Sequence, residues 1–293
     1  MRVLVTGGAG LVGAPLCAAL QAAGHGVTVV SREPGRVPGR AVGWDGLGPA
    51  MVETDAVVNL AGESIAAGRW TAARRAAIRA SRIEATRALV QAAAGSRERP
   101  AVLVSASAVG WYGPRGDEPL DEAAGPGTDF LARVCRDWEA EAQRAEGLGM
   151  RVVRLRLGVV LAPDGGALGR MLLPFRAGLG GRLGSGRQWM SWVHRDDVVG
   201  LVLAALADAS YAGPVNATAP TPVTNREFTA ALARALHRPA VLPVPALALR
   251  LLLGEMATML LTGQRVLPRV AEARGYRWRL PELSAALSAC VGP

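Results

Sequence analysis

A short apolar run, Val3-Leu4-Val5, gives way at once to Thr6-Gly7-Gly8-Ala9-Gly10-Leu11-Val12-Gly13, and an apolar helical stretch follows. Gly7, Gly10 and Gly13 are spaced G-x-x-G-x-x-G, a variant of the dinucleotide-binding fingerprint. The chemistry needs glycine there. The chain must turn sharply from strand to helix, and the backbone must approach a pyrophosphate with no Cβ in the way. The opening helical turn, at Leu11, Val12 and Gly13, then offers free N–H groups and the positive end of a dipole. At a strand–helix junction, this motif commits the N-terminal part to a nucleotide-binding β-α-β unit.

Strand-like and helix-like segments alternate onward from there. Leu11–Ala23 reads as the first helix, closed by Gly24-His25-Gly26, and Val27–Val30 as the second strand. Asp55–Leu60 ends another strand. Thr71 is placed to cap a long helix to about Ala94, and Ala101–Val104 reads as a buried strand. A loop over Gly110–Thr128 leads to a helix from Thr128-Asp129 to about Glu146, then to a strand at Arg151–Leu157. This pattern predicts an α/β fold, a Rossmann-type doubly wound parallel sheet, over residues 1–165. A later strand near 213–217 completes it. Residues 166–293 read as the substrate-side region, ending in a small, mostly helical C-terminal domain at about 240–293. Within it Asp196 or Asp197 is a natural N-cap, and Thr224 with Glu227 forms a capping box for Arg226–Leu236.

Composition narrows the function classes. The chain has 293 residues and a net charge of +9, and all 33 basic residues are arginine. Any mechanism requiring a catalytic lysine is therefore excluded. The arginines are spread along the chain without aromatic interleaving, so no nucleic-acid partner is expected. Cys17, Cys135 and Cys290 lack metal-like or redox-like spacing. The stretch Val241–Leu261 is broken by Pro243, Pro245, Arg250 and Glu255 and reads as buried or amphipathic helix, not a membrane span. A cytoplasmic protein with no membrane partner is the expectation.

The second strand ends Val29-Val30-Ser31-Arg32, where an NAD-preferring site would carry an acid for the ribose hydroxyls. Ser31 can hydrogen-bond a 2′-phosphate, and the Arg32 guanidinium can pair with it and stack on adenine. NADP is therefore favoured over NAD, with the neighbouring Glu33 still able to serve a ribose.

Taken together, the motifs resemble the extended short-chain dehydrogenase/reductase superfamily. More narrowly, the chain is similar to its NAD-dependent epimerase/dehydratase branch with an added C-terminal domain of unknown function. The matching pieces are the glycine motif, Val58-Asn59-Leu60-Ala61-Gly62-Glu63, Ser81-Arg82-Ile83 with Thr86-Arg87, and Ser105-Ala106-Ser107-Ala108-Val109-Gly110-Trp111-Tyr112-Gly113. Later come Asp129-Phe130-Leu131 through Trp138-Glu139, Arg156-Leu157-Gly158-Val159-Val160-Leu161, Ser191-Trp192-Val193-His194, and Arg250 through Met256. The resemblance implies that Leu60, Ala61 and Gly62 line the cofactor, that Ser105 and Ser107 sit by the nicotinamide, and that Ser107 orients a substrate oxygen.

It also exposes a departure. Active relatives carry a Tyr and a Lys four residues apart on the next helix, the Lys lowering the Tyr pKa and holding the nicotinamide ribose. Aligned on Trp138-Glu139, Leu131 stands in the Tyr position and Cys135 in the Lys position, against the cofactor. Substitutes are Tyr112, with an arginine to lower its pKa; Glu63, beside Ala61-Gly62; and the Cys135 thiol. His194 reads as packing beside its acid neighbours.

Two functions stay open. One is an NADP(H)-dependent epimerase or reductase using an unusual acid, on a small-molecule substrate the sequence does not identify. The other is a catalytically silent NADP(H)-sensing or regulatory binding protein. Related folds pair through the two helices at Thr71–Ala94 and Asp129–Glu146, which makes a homodimer the arrangement to test.

Overall fold

Side chains alternate along β1 (Arg2–Thr6): Val3 and Val5 enter one core and Leu4 the other. The same two-sided burial runs through β2 (Gly26–Val30), β4 (Ala56–Asn59), β5 (Val102–Ala108) and β6 (Arg151–Leu157). With β3 (Ala41–Val42) and β7 (Gly213–Ala217), these strands form one parallel sheet in the order β7-β6-β5-β4-β1-β2-β3. Strands buried on both faces read as continuous Val/Leu runs, as these do. The computed structural model describes residues 1–292.

Helix α1 (Gly13–Ala22) and α5 (Arg195–Ala207) cover one face, through Leu16, Leu20, Val198 and Val202. The other face is covered by the short helix Leu47–Val52, by α2 (Ala72–Gly95) and by α3 (Phe130–Gln143). Chain direction across the sheet reverses between β1 and β4, so the C-terminal ends of those strands open a crevice. A separate core holds α4 (Gly166–Arg176), α6 (Asn225–Ala235) and the helix Leu283–Val291 around Phe175, Trp192 and Phe228. Among the described residues, no helix is long and apolar enough to cross a membrane.

Local capping signals are realised. Thr71 accepts from the Arg74 N–H at 3.1 Å, Asp129 from Ala132 at 2.7 Å, and the Thr224–Glu227 box is complete. Several expectations shift. Helix α1 begins at Gly13 rather than Leu11, because Gly10–Val12 are spent on the turn. The strand expected at Ala101–Val104 continues to Ala108. The expected loop contains a 3₁₀ turn, Val109–Tyr112, and a short strand, Pro119–Leu120, paired with Arg265–Val266. Helix α3 ends at Gln143 and passes into a 3₁₀ turn, Arg144–Leu148.

Neither Asp196 nor Asp197 caps α5. His194 does, its Nδ1 accepting from the Asp196 N–H at 3.2 Å. Burial lowers the His194 pKa, which favours the neutral ring that can accept. Asp197 is freed for a distant task. Fully buried, it accepts from the N–H of Arg279 at 2.7 Å and of Leu280 at 3.1 Å, and from the Tyr276 hydroxyl. It thereby ties the C-terminal segment to the sheet layer.

Asp197→Ala leaves two backbone donors without their charged acceptor and should cost about 2–4 kcal/mol. Denaturant unfolding measures this. A loss no larger than an exposed Asp→Ala change would contradict the tether.

Candidate functional site

At the crevice the two loops touch. Gly7 has φ of 70°, the left-handed region open to glycine, and a Cβ there would lie 2.7 Å from the Leu60 carbonyl oxygen. At Gly13 a Cβ would collide with the Gly7 carbonyl. The turn closes through Gly10 N–H to the Gly7 carbonyl at 2.9 Å. Helix α1 has no side-chain cap and no acid in its first turn. Among the described residues the N–H groups of Leu11 and Val12 meet no acceptor of the chain. The result is a Cβ-free, donor-rich cradle, and it fits a dinucleotide pyrophosphate.

A buried polar cluster fixes the cradle's floor. The Thr6 hydroxyl donates to Asn59 Oδ1 at 2.7 Å, and Asn59 Nδ2 donates to Thr86 at 2.8 Å and Ser105 at 3.2 Å. The Ala61 N–H points back to Thr6 and Asn59. Ser105 is thus buried and faces Asn59, holding the strand ends in register, while Ala61 and Gly62 form the loop above. At the end of β2, the Ser31 hydroxyl accepts from the Glu33 N–H at 3.1 Å. Glu33 pairs with Arg36 at 2.6 Å, while Arg32 is exposed and forms no ion pair among the described residues.

The catalytic candidates lie differently from the expectation. The Ser107 hydroxyl is buried and donates to Glu139 Oε1 at 2.7 Å. Glu139 is held by Arg156 through two bonds, Nε–Oε1 at 2.8 Å and Nη2–Oε2 at 3.0 Å, with both side chains almost wholly buried. Arg156 also donates to the Tyr112 hydroxyl at 2.9 Å, and Tyr112 donates to Asn216 Oδ1 at 2.7 Å. Its guanidinium stacks 4.1 Å over the Trp111 ring.

Tyr112 is therefore not placed as the substitute acid. It is fully buried, and burial pushes its phenol up to about 12 despite Arg156, opposite to the direction a neutral-pH acid needs. Cys135 is also a core residue. Its sulfur would lie 3.7 Å from a Cβ on Gly110, and burial pushes the thiol up to about 12. Leu131 packs beside it under the same turn.

Of the named catalytic candidates, Glu63 keeps a partly exposed side chain, and it forms an ion pair with Arg74. Its N–H donates to Ser81 at 3.1 Å, and its carbonyl accepts from Arg82 Nη2 at 3.0 Å. The Arg82 guanidinium lies 3.3 Å from where a Gly62 Cβ would be and 5.3 Å from the Trp138 ring centre. The sequence alone gives neither Arg82 nor Arg156 a role. The signal for Arg156 was there: an arginine within a strand of an all-buried sheet needs a buried partner.

Comparison with known proteins agrees with this geometry. Residues 3–217 match the NAD dependent epimerase/dehydratase family, and residues 244–290 match a domain of unknown function, DUF1731. The chain is 44% identical over 292 residues to the epimerase family protein Mb2239 of Mycobacterium bovis, covering 97% of this chain and 96% of that protein. It is 42% identical over 296 residues to the human epimerase family protein SDR39U1, covering 99% and 100%. The crystal structure of human SDR39U1 with NADPH superposes with a TM-score of 0.93 at 40% identity, covering 99% of each chain. A nucleoside-diphosphate sugar epimerase from Corynebacterium glutamicum gives 0.82 at 36% identity, covering all of this chain and 58% of that one.

The three tyrosines give a pH test. Burial raises the pKa of Tyr112, Tyr211 and Tyr276 alike. A phenol raised in the folded state contributes stability that is complete below the free value near 10 and is lost as pH rises towards the folded value. For Tyr112 that window runs from about 10 to about 12. Spectrophotometric titration should show phenolate forming late and together with unfolding. An ordinary titration of all three in native protein would contradict the buried network.

Proposed function

The chain belongs to the NAD-dependent epimerase/dehydratase family, and from that premise we propose that it is an NADP(H)-binding protein of the extended short-chain dehydrogenase/reductase type. The carrying observation is the Cβ-free cradle at the sheet's reversal point, where Gly7 and Leu60 meet. Gly7, Gly10 and Gly13 with the N–H groups of Leu11 and Val12 would hold the pyrophosphate. Leu60, Ala61 and Gly62 would line its central part. Ser31 and the free Arg32 would take the 2′-phosphate, while Arg36 neutralises Glu33 and weakens the competing ribose contact. The NADPH in the human SDR39U1 structure supports this choice.

When bound, the dinucleotide supplies hydride exchange with a carbonyl or alcohol. The residues of this chain contribute without a Tyr–Lys relay. Arg82 sets a fixed positive charge beside the Ala61-Gly62 loop, and Glu63, paired with Arg74, is the group we assign to give or take a proton at its carboxylate. Ser107 and Tyr112 act as positioning groups through Glu139 and Arg156.

A second reading has its own support. Ser107 and Tyr112 turn into the buried network and Cys135 is a buried core thiol, which favours a protein that senses NADP(H) and performs no chemistry. A carbonyl-substrate screen for NADPH oxidation separates the two. Turnover lost in Glu63→Gln supports the enzyme, and turnover unchanged in that variant removes Glu63 from the mechanism.

Calorimetry with NADPH and NADH tests the cofactor assignment. Arg32→Ala should weaken NADPH by about 10–100-fold, the scale of one charge-assisted hydrogen-bonding group, and leave NADH nearly unchanged. Absence of binding by either dinucleotide would overturn the proposal.

A further inference from the structure

Net charge and apolar exposure are both high in the region beyond the sheet. Residues 165–190 and 225–254 hold eight arginines against the single acid Glu227, a net +7 of the chain's +9. Elsewhere arginines commonly hold acids, as Arg2 holds Asp55, Arg79 holds Asp137 and Arg87 holds Glu141. Arg176, Arg187, Arg234, Arg238 and Arg250 are exposed and form no ion pair among the described residues.

The same segments expose hydrocarbon. Leu173 and Leu179 are 78% and 61% exposed, Val241 and Leu242 are 77% and 53%, and Leu247 and Leu251 are 67% and 70%. The backbone brings them together. The Gly184 N–H donates to the Val244 carbonyl at 2.8 Å, and the Val244 N–H donates to Arg182 at 2.9 Å. The segment after α4 therefore runs alongside residues 241–244, which lead directly into the helix Ala246–Leu253. On that helix Leu247 and Leu251 are four apart and share a face, with Arg250 beside them.

We propose that this face docks on an anionic lipid surface, with Leu247, Leu251, Val241 and Leu242 entering the acyl boundary and the unpaired arginines meeting lipid phosphates. An apolar patch with a basic, acid-poor rim is the pattern of an interfacial attachment, and arginine keeps its charge at the interface while its stem lies among hydrocarbon. A second copy of the chain fits less well, because closing the face on itself sets unpaired arginines of like charge against one another. Nucleic acid would match the charge and leave the leucines in water. No spanning segment is involved, since the attachment lies along the surface.

The test is co-sedimentation of the full chain with phosphatidylcholine vesicles, with and without phosphatidylglycerol. Binding should require phosphatidylglycerol and weaken with salt. Leu247→Ser with Leu251→Ser should abolish it. Arg176→Gln, Arg238→Gln and Arg250→Gln together should reduce it on the order of 100-fold, at about 1 kcal/mol for each arginine. These positions are exposed, so unchanged melting temperatures confirm folded variants. No sedimentation with anionic vesicles, or binding equal in wild type and variants, overturns the proposal. So does a concentration-dependent dimer that disappears in the double leucine variant, which would assign the face to a second copy.

Discussion

The buried pair of Glu139 and Arg156 governs this site. Removing two charges from water is costly, and the cost is offset here by two parallel hydrogen bonds and by stacking on Trp111. Once paired, the two residues recruit their neighbours. Glu139 takes the Ser107 hydroxyl from β5, and Arg156 takes the Tyr112 hydroxyl, which reaches Asn216 on β7. One ion pair thus joins α3, β5, β6, β7 and the 3₁₀ turn between them. Both hydroxyls, expected from the sequence to serve catalysis, are engaged inward.

Two kinds of structure meet at this site. The cradle rests on backbone shape: Gly7 against Leu60, Gly13 against Gly7, and an uncapped α1. None of that depends on lysine. The region at the end of β5 depends on side chains, and there Leu131, Cys135 and Gly110 pack as a small apolar plug. Arg82, lodged between the Glu63 carbonyl and Trp138, is the cation next to that plug. A lysine-free chain can place positive charge there through a rigid, always-protonated group rather than a tunable amine.

How much of this the sequence disclosed depended on the range of the interaction. The glycine turn, the Thr71 cap and the Thr224–Glu227 box are settled within a few residues, and all were readable. The doubly wound parallel sheet followed from the alternation of strands and helices, while the order of its strands came only with the fold. Partners far apart were not readable. Ser107 meets Glu139 across 32 positions and Tyr112 meets Asn216 across 104, so their hydroxyls looked free in the sequence and are engaged in the fold. Asp197 looked like a cap because it sits at a helix start, and its real partners are 79 to 83 residues away. The paired Glu139 and Arg156 could have been suspected from one rule: a charge on a buried strand or helix face needs an opposite charge.

The most direct measurement is a crystal structure grown with NADPH. The pyrophosphate should lie on the glycine turn, the 2′-phosphate against Ser31 and Arg32, and the Ser107 hydroxyl should remain on Glu139. A dinucleotide bound elsewhere, or a Ser107 side chain rotated away from Glu139 towards the nicotinamide, would contradict this arrangement.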